Sequence, residues 1–349
     1  MIIDSNTFSL TRFRNRLRSV RSYVNGDTEV TSGPVELIIE ITSVCNLACI
    51  MCPRNVMVRP DGYMALELFK SIVDQIKDTV ELIYLSGGLG EPLVHPDLTE
   101  MIDYCRLQNV RVGVSTNATL LKREIAGRIL DAGPDILLLS LDGATKETHE
   151  SIRVGSVFER TMGNVEYFLE EKERRGRSRP YTICQMVHMP SNQHEADEFD
   201  KKWRAFKGVD DVRLKTFLDL QGAEYTPEKD DAEDHHKLSC ILPWRQISID
   251  FDGTMALCCR DLDFRDPIGN VKDTPISELW NSQKMQHRRG CLASGKKAEL
   301  DICRDCSTIK TTPVTRMGAI TLDALSIRKS LPYIEKLAKK LNFNALDYD

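Results

Sequence analysis

The sequence lacks an apolar run long enough to cross a membrane, and it lacks the basic, apolar start that directs export. No stretch reaches about 18 apolar residues, and Met1 is followed by Ile2, Ile3 and Asp4. An excess of positive charge is also absent, because 47 Lys and Arg stand against 52 Asp and Glu, for a net charge of −5. Sequence-independent binding to nucleic-acid phosphates needs clustered basic residues. These absences predict a cytoplasmic protein with no membrane span and no nucleic-acid partner.

Cysteine, by contrast, is abundant. Eleven cysteines occur among the 349 residues, and six of them fall between positions 240 and 306. In a chain without an export signal they do not indicate a disulfide framework, because reducing compartments keep thiols free. Metal binding or redox chemistry is therefore predicted for the cysteines that cluster.

Apolar runs and segments of helical periodicity alternate along the chain from Val35 onward. The predicted strands lie near 36–42, 82–86, 111–115, 136–141, 181–188 and 211–215, and the predicted helices near 65–78, 97–108, 120–130, 157–174 and 193–207. Six successive strand–helix units predict a parallel sheet covered by helices, and right-handed crossovers favour a partial (β/α)6 barrel of the TIM type. The expected fold class is α/β, with its chemistry in the loops at the carboxyl ends of the strands.

Other segments flank the predicted barrel. A basic run near the N-terminus predicts a short amphipathic helix with Leu10, Phe13, Leu17 and Val20 on its apolar face. Its charged face is expected to be solvated, with contact to an acidic partner as the alternative. The predicted segments are this basic helix and extension (1–34), the barrel (35–217), an acidic linker (218–239), a small α+β cysteine-rich domain (240–310) and a C-terminal helix (311–349).

Cys45, Cys49 and Cys52 form a C-x3-C-x2-C motif directly after the first predicted strand. Three thiolates on a tight loop can each hold one iron of a cubane cluster, which leaves the fourth iron open to a small molecule. A zinc site is the alternative, but a closed zinc site needs four ligands, and no fourth Cys or His lies nearby in the sequence. The spacing therefore predicts an iron–sulfur cluster with one open iron.

In this motif and its position the sequence resembles the radical S-adenosylmethionine (SAM) superfamily, over about residues 35–215. The resemblance implies a [4Fe–4S] cluster whose open iron binds SAM. It also implies reductive cleavage of SAM to a 5′-deoxyadenosyl radical, which removes a hydrogen atom from substrate, and an external one-electron donor such as flavodoxin or ferredoxin. The residue before the third cysteine is often aromatic in the family and is Met51 here, whose thioether can also pack on adenine.

Motifs at the ends of the next three predicted strands support the same resemblance. The segment Ser86-Gly-Gly-Leu-Gly-Glu-Pro-Leu resembles the glycine-rich motif that meets the SAM amino group, where glycine permits a close backbone approach. The candidate SAM-binding residues are Gly88, Gly90 and Glu91 in this segment, the ribose-facing Ser115 and Asn117, Ser140 with its neighbour Asp142, and Arg153, which could pair with the SAM carboxylate. For each polar residue a helix cap or turn is the alternative role.

A second group of cysteines comprises Cys240, Cys258, Cys303 and Cys306. Asp-Gly at 252–253 predicts a two-residue hairpin, with Phe251 opposite Thr254, Ile247 opposite Cys258, and Cys259 on the other face. The segment resembles the SPASM and twitch modules of radical SAM enzymes, and the one-cluster twitch form is closer because no cysteine follows Cys306. This resemblance implies a second, fully ligated [4Fe–4S] cluster used in electron transfer, with structural zinc as the alternative.

Cys184 and Cys259 are candidates for giving a hydrogen atom to a substrate radical, as cysteines do in some radical epimerases that the sequence resembles in layout. Cys184 shares a strand face with Met186 and His188 that is a candidate for the barrel interior, while Cys259 adjoins the second cysteine group. An inert packing role is the alternative for both.

Four charged residues near predicted strand ends or the second cysteine group are candidate substrate contacts or bases, with surface ion pairs as the alternative. They are Lys215, Asp219, Arg260 and Asp261. Cys105 lies on an apolar helix face and is expected in the core, whereas Cys291 has no evident partner. His235 and His236 in the acidic linker are expected to be solvated rather than to bind metal.

The resemblance to radical dehydrogenases of aminocyclitols and related twitch enzymes implies hydrogen abstraction from a polar small molecule, at a C–H beside a hydroxyl. If the substrate radical then loses a proton and passes an electron to the auxiliary cluster, the result is an oxidation. If a thiol instead returns a hydrogen atom to the radical, the product is an epimer. A second hypothesis is maturation of a peptide or protein side chain. It is less favoured because only about 35 residues precede the first strand, too few for an added recognition domain. A third is a non-catalytic zinc or iron–sulfur scaffold, against which the open three-cysteine loop argues.

Overall fold

The structure is a computed structural model and describes residues 9–85, 89–216, 240–304 and 306. Its strands are β1 (Glu36–Ile39), β2 (Leu82–Leu85), β3 (Arg111–Thr116), β4 (Ile136–Ser140), β5 (Tyr181–His188), β6 (Asp211–Thr216), β7 (Gln246–Ile249), β8 (Thr254–Ala256) and β9 (Gly269–Asn270). They form one sheet in the order β6-β5-β4-β3-β2-β1-β7-β8-β9. Pairing is parallel from β6 to β7 and antiparallel for β8 and β9. The six parallel strands predicted from the sequence are confirmed.

Helices cover the outer face of this sheet. They are α1 (Leu10–Asn25), α2 (Leu66–Ile76), α3 (Leu98–Leu107), α4 (Arg123–Ala132), α5 (Lys146–Ile152), α6 (Phe158–Arg174), α7 (Ala196–Ala205), α8 (Leu242–Arg245), α9 (Ile276–Trp280), α10 (Gln283–Ala293) and α11 (Asp301–Arg304). In α2 the residues Phe69, Ile72, Val73 and Ile76 recur at helical spacing, and all four are buried. The same periodicity explains why the helices predicted between the strands are present.

The two faces of the sheet pack differently. Leu137 and Cys184 lie on the face that joins the helices in the main hydrophobic core. The opposite face carries a separate small cluster of Leu82, Ile136 and Ile183, and it forms the interior of the partial barrel. Because successive residues of a strand point to opposite faces, the side chains near the carboxyl ends divide between core and interior in the same way.

The cysteine-rich segment extends the barrel sheet. β7 pairs in parallel with β1 over four residues, from Glu36 opposite Gln246 to Ile39 opposite Ile249. The Glu40 N–H continues the ladder by donating to the Ile249 carbonyl at 2.9 Å. The carboxyl ends of parallel strands meet at the same edge of a sheet. The loops after β1 and β7 therefore leave the sheet side by side. The first leads directly to Cys45, whereas the second leads into β8, which runs back from this edge before Cys258.

The turn between β7 and β8 differs from the predicted two-residue hairpin. Ile249 pairs with Met255, so the pairing of Phe251 with Thr254 predicted from the Asp-Gly sequence is wrong by one residue. Gly253 closes a longer loop with φ of +91°. A turn followed by a glycine bulge has this geometry, and the extra residue shifts the register of everything beyond it.

The N-terminal helix is also reversed relative to the prediction. Leu10 and Leu17 are exposed, whereas Arg12, Asn15 and Arg16 are buried. Arg12 donates to three carbonyl oxygens at the carboxyl ends of α2 and α3, and Arg16 forms an ion pair with a glutamate just before β2. Arg12 and Arg16 are thus not solvated, because Arg12 satisfies backbone oxygens that these helices leave unpaired and Arg16 pairs within the protein, whereas Arg14, Arg18 and Arg21 are exposed.

Several predictions concern positions outside the described residues. They are Gly88, Asp219, the whole acidic linker at 218–239 with His235 and His236, and the C-terminal helix at 311–349. Within the described parts of the chain, no helix combines the length and the apolar character that a membrane span requires.

Candidate active site

The loop after β1 carries Cys45, Cys49 and Cys52. Cys49 is buried, and Cys45 and Cys52 are half-buried. The Cys52 N–H donates to the Cys49 carbonyl at 3.0 Å, and the Leu47 N–H lies 3.5 Å from Cys45 Sγ. Burial raises the pKa of all three thiols, that of Cys52 to about 11. Because a metal binds the thiolate, loading this loop would release the protons that burial retains.

One polar group next to these sulfurs comes from the end of β3. Asn117 Nδ2 lies 3.8 Å from Cys45 Sγ and 3.1 Å from Asn46 Oδ1. Asn117 Oδ1 accepts a hydrogen bond of 2.6 Å from Thr119 Oγ1, which fixes the orientation of the amide. The sequence analysis named Asn117 as a ribose contact, and the structure places it between the cluster loop and β3.

A second polar group comes from the segment after β4. Arg153 Nη1 lies 3.8 Å from Cys49 Sγ. Asp142, which is fully buried, accepts from Arg153 Nε at 2.8 Å and pairs with Nη2 at 2.5 Å. The other Asp142 oxygen accepts from the Val187 N–H at 2.6 Å. The guanidinium is therefore held with one edge on Asp142 and one nitrogen beside the sulfur, where charge-assisted hydrogen bonds stabilise a thiolate.

The glycine-rich segment after β2 packs closely on the cluster loop. Gly90 has φ of +80°, and a Cβ at this position would overlap the Thr42 carbonyl. The next residue, Glu91, donates its N–H to the Val44 carbonyl at 2.9 Å. Only glycine combines this backbone conformation with so close an approach.

The Glu91 carboxylate joins the segment after β2 to the end of β3 through hydrogen bonds. It is buried and accepts hydrogen bonds from Thr116 Oγ1 at 2.6 Å, the Asn117 N–H at 2.7 Å and the Leu93 N–H at 3.0 Å. Burial raises its pKa. Both oxygens are thus used within the protein, so Glu91 positions the SAM-side loops through its side chain.

The remaining residues named for SAM binding lie around the same edge of the sheet. Met51 is buried in a small apolar cluster with Leu47, Ile152 and Met189, against which the three cysteines pack. Ser115 and Ser140 are half-buried near the carboxyl ends of β3 and β4, on the face of the barrel interior. The structure therefore gathers Met51, Gly90, Glu91, Ser115, Asn117, Ser140 and Arg153 around the three-cysteine loop.

The structure links members of the second cysteine group in pairs, and it closes no set of three or more ligands into a metal site among the described residues. Cys240, Cys258, Cys303 and Cys306 are all half-buried. The Cys306 N–H donates to the Cys303 carbonyl at 3.2 Å, and the Arg260 N–H lies 3.5 Å from Cys258 Sγ. Arg260 also joins the two halves, because its Nη1 lies 3.6 Å from Cys306 Sγ. A guanidinium beside a cysteine sulfur suits a thiolate, whose negative charge it stabilises.

Cys259 lies beside Cys258 rather than on the opposite face. The two thiols are hydrogen-bonded to each other, which raises the pKa of Cys258 and lowers that of Cys259 to about 7. The positive charges of Lys215 and Arg260 add to the lowering for Cys259. The prediction that Cys259 points away is wrong, because β8 ends at Ala256 and the alternation of a strand no longer applies.

Asp261, a candidate substrate contact, has a structural use. It is buried, and its carboxylate accepts the N–H of Arg265 at 2.8 Å and of Asp266 at 3.1 Å. Its own N–H donates to the Cys258 carbonyl at 3.1 Å. Asp261 therefore shapes the loop that presents Cys258.

Two tryptophans of the cysteine-rich segment fasten it to the chain before β1. Trp244 Nε1 donates to the Asp27 carbonyl and Trp280 Nε1 to the Ser32 carbonyl, both at 2.7 Å. Both rings are buried. Their role is to hold the second cysteine group at a set position against the barrel.

The other cysteines stand apart from both groups. Cys184 is fully buried on the helix-facing side of β5, so its proposed place in the barrel interior is wrong. Strand alternation correctly predicted which residues share a strand face with Cys184, but it does not show which of the two faces the helices cover. Cys105 is buried in the core as expected. Cys291 lies 3.6 Å from His287 Nε2 and 3.7 Å from Glu299 Oε2.

Sequence reasoning missed a buried charged group between β1 and β7. Glu40 and Asp250 follow these strands, and both form ion pairs with Arg59 from the loop after the three cysteines. Burial raises the pKa of Glu40 to about 8. The hydrogen-bonded Asp250 carboxyl also raises this pKa, whereas the positive charge of Arg59 lowers it. The Arg59 guanidinium also lies 5.3 Å from the centre of the Phe264 ring. No sequence signal pairs these residues, because they are distant in the chain.

Sequence models of two domain families match the chain. The radical SAM superfamily matches residues 39–200, and an iron–sulfur cluster-binding domain, SPASM, matches residues 240–307. The matched segments together cover about two thirds of the chain and contain all the cysteines of both groups.

Curated relatives agree with these matches. The chain is 26% identical over 336 residues to a Pyrococcus furiosus protein named as the tungsten-containing aldehyde ferredoxin oxidoreductase cofactor-modifying protein, covering 81% of this chain and 91% of that one. It is 34% identical over 125 residues to a mycofactocin maturase of Mycobacterium ulcerans. The latter match spans 36% of this chain and about a third of the maturase, 34%.

Solved structures share the fold. BtrN in complex with AdoMet and 2-DOIA superposes with a TM-score of 0.54 at 17% identity, over 80% of this chain and 95% of BtrN. Streptococcus suis SuiB bound to precursor peptide SuiA gives a TM-score of 0.61 at 14% identity, over 79% of this chain and 70% of SuiB. The chain therefore belongs to the radical SAM superfamily, whose enzymes use SAM and a [4Fe–4S] cluster, and it carries a C-terminal iron–sulfur SPASM domain.

Proposed function

We propose that this protein oxidises a small polar molecule, such as a sugar or aminocyclitol, at a C–H beside a hydroxyl, with epimerisation as the variant outcome. The observation that carries the proposal is the direct contact between the loop after the first cysteine group and the cysteine-rich segment, through the Val58 N–H that donates to Asp263 and the ion pair of Arg59 with Asp250. A radical-forming site and an electron-accepting site then serve the same interior space.

The interior between them is polar near the carboxyl ends of the strands. Ser140 pairs in register with Gln185, and Gln185 with Arg213, so these three side chains share the interior face. All three are half-buried. Lys215 lies farther along β6 on the same face, and its positive charge contributes to lowering the pKa of Cys259. Hydroxyl, amide and cationic groups of this kind suit a hydroxylated substrate that needs several hydrogen bonds.

The first site is assigned as follows. Cys45, Cys49 and Cys52 hold the cluster, while Asn117 and Arg153 donate toward its sulfurs or toward SAM. Gly88 and Gly90 offer backbone to the SAM amino group, Glu91 fixes that loop, Met51 packs on adenine and Ser115 faces the ribose. When loaded, this site supplies a 5′-deoxyadenosyl radical that removes a hydrogen atom from substrate.

In the proposed oxidation the alcohol carbon loses one hydrogen atom to the SAM-derived radical, the hydroxyl loses one proton to a base, and one electron passes to the second iron–sulfur site. The alcohol thereby becomes a carbonyl. Lys215, Asp219 and Arg260 remain the candidate substrate contacts or bases, whereas the buried Asp261 carboxylate is used by the backbone of its own loop. Cys259 is the candidate hydrogen-atom donor for epimerisation. A flavodoxin or ferredoxin is the external electron donor.

Iron counting and SAM turnover test the site assignment. The wild-type protein, reconstituted anaerobically, should hold about eight irons, and Cys45→Ala/Cys49→Ala/Cys52→Ala about four, as expected for two four-iron clusters. With dithionite, the wild type should form 5′-deoxyadenosine and the triple variant should not. Cys291→Ala is the matched control, because this cysteine belongs to neither group, and it should keep both values. Equal SAM cleavage by the triple variant would remove the catalytic assignment.

Substrate class is tested by isotope transfer. A panel of carbon-deuterated sugars and aminocyclitols should deliver deuterium into 5′-deoxyadenosine for at least one member. Carbon-deuterated peptides form the second arm, since the chain is similar to a mycofactocin maturase and shares its fold with SuiB bound to a precursor peptide. Transfer from peptides alone would replace the small-molecule proposal by side-chain maturation. SAM cleavage with no transfer from either panel would reject both substrate classes, and no cleavage at all would favour a non-catalytic scaffold.

A further inference from the structure

Asn117, directly after β3, uses its whole side-chain amide beside the loop of the first cysteine group. Its Oδ1 accepts hydrogen bonds from the N–H and the Oγ1 of Thr119, at 3.0 and 2.6 Å. Its Nδ2 donates to Asn46 Oδ1 at 3.1 Å and lies 3.8 Å from Cys45 Sγ. A primary amide has two donor hydrogens and one oxygen with two lone pairs. All of these are therefore used within the protein, which leaves none for a ribose.

Thr119 fixes which end of this amide faces Cys45. A backbone N–H is a donor only, so the Asn117 atom that meets the Thr119 N–H is the oxygen and not the nitrogen. Thr119 Oγ1 in turn accepts from Asn46 Nδ2 at 2.8 Å. The side chains of Asn46, Asn117 and Thr119 thus close a ring of three hydrogen bonds next to the sulfur. The Asn117 donor is oriented before any cofactor binds.

A second oriented donor meets a second sulfur of the same loop. Arg153 Nη1 lies 3.8 Å from Cys49 Sγ, while Nε and Nη2 bind the carboxylate of the fully buried Asp142. That carboxylate is fixed in turn, because its other oxygen accepts the Val187 N–H at 2.6 Å. Nη1 carries two hydrogens, so one remains for the SAM carboxylate. Donors from the ends of two different strands therefore face two of the three cysteines.

We propose that Asn117 and Arg153 donate to the Cys45 and Cys49 sulfurs of the loaded site and thereby raise its reduction potential. Reduction adds negative charge to a cluster, and donors directed at its sulfurs stabilise the more negative state. The consequence is a site that an external one-electron donor reduces more readily. The inference rests on the proposed function only in assigning Cys45, Cys49 and Cys52 to the cluster.

The test is a redox titration of the reconstituted full-length protein, without SAM, followed by electron paramagnetic resonance. The triple variant of Cys45, Cys49 and Cys52 shows the auxiliary signal alone, so the signal that it lacks belongs to the first site. Asn117→Leu keeps the approximate size and the charge of the side chain and removes the donor. It should make reduction of the first site about tenfold less favourable, which is a shift of about 59 mV for a one-electron couple.

The second donor is tested by Arg153→Met combined with Asp142→Asn. This double variant replaces an ion pair of no net charge by an uncharged pair. A change in the potential therefore reports the lost donor and not a change in the net charge near the cluster. The double variant should lower the potential of the first site in the same direction as Asn117→Leu.

Asn55→Leu is the matched control, because it makes the same substitution at an exposed asparagine three residues after Cys52. It should keep the wild-type potential. With about eight irons retained, an unchanged potential in Asn117→Leu or in the double variant would overturn the inference for the residue concerned.

Thr119→Val decides the matter if Asn117→Leu fails to load the first site. It removes one hydrogen bond that orients the Asn117 amide and keeps the amide itself. A lowered potential would support the oriented donor, and an unchanged potential would overturn it. A wild-type protein whose iron content does not fall in the triple cysteine variant would instead reject the cluster assignment on which the inference rests.

Discussion

Replacing Glu40 by glutamine is expected to remove much of the fall in stability that the protein undergoes as pH rises from about 4.5 to about 8. Glu40 is 2% exposed, hydrogen-bonded to the Asp250 carboxyl and ion-paired with Arg59. Burial raises its pKa from 4.5 to about 8. Between these values the folded protein keeps a proton that the unfolded chain has released.

The sign and size follow from that difference. A carboxyl whose folded pKa is raised contributes stability that is present below its unfolded pKa and is lost as pH rises through the folded value. At about 1.36 kcal/mol per pKa unit, the contribution is at most about 5 kcal/mol, since the proton is shared with Asp250. Glutamine has nearly the same shape and carries no titrating proton, so its variant lacks this loss.

The assay is urea unfolding of anaerobic protein at pH 5.5, 6.5, 7.5 and 8.5, followed by circular dichroism. The free energy of unfolding of Glu40→Gln relative to wild type should rise steadily across this range. Glu159→Gln is the control, because Glu159 is 62% exposed and pairs with Lys146 on the surface. Identical pH dependence in Glu40→Gln and wild type would refute the reasoning. Asp250→Asn probes the same shared proton if the first variant does not fold.

Three further predictions concern the loops and the N-terminal helix. Gly90→Ala should lower the free energy of unfolding by more than 1 kcal/mol, because the added Cβ overlaps the loop after β1. Gly163→Ala is the control and should not lower it, since Gly163 in α6 has open space around it. Equal thermal unfolding midpoints for the two variants would contradict this prediction. Arg153→Lys should weaken SAM binding about tenfold in equilibrium dialysis without iron loss, because the fork is lost, and an unchanged Kd would exclude Arg153 from the SAM site. Arg12→Met should lower the free energy of unfolding by about 1–3 kcal/mol, because it leaves backbone oxygens unpaired. Urea unfolding measures this against Arg14→Met, which changes an exposed arginine of the same helix. Equal free energies of unfolding for the two variants would contradict the role of Arg12 as a buried donor.

Contacts between the two cysteine-bearing segments hold together the proposed radical-forming site and the proposed electron-accepting site. The loop after the first group reaches the second segment through Arg59, which binds Asp250, and through Val58, whose N–H donates to Asp263 at 3.2 Å. Gly62 of the same loop lies so close to the Phe251 ring that a Cβ would overlap it. The spacing between the sites is thus held by direct packing.

Much of the candidate site was predictable because its signals are local. The spacing of Cys45, Cys49 and Cys52 lies within one loop, and the glycine-rich motif lies directly after a strand. By contrast, the hairpin register depends on a bulge at Gly253, and the alternation rule failed for Cys259 once the strand had ended. A single inserted residue reverses every later side chain, and no local pattern reports it.

The sequence by itself determined the six strand–helix units, the two groups of cysteines and the family to which they point, because periodicity and motif spacing are properties of neighbouring residues. Only the tertiary structure decided that β7 joins β1 and that Arg12 and Arg16 of α1 turn inward. These contacts join residues far apart in the chain, as where Ser19 donates to the Trp244 carbonyl across 225 positions. Buried polar groups must find partners wherever the fold supplies them, and that requirement acts through space rather than along the chain.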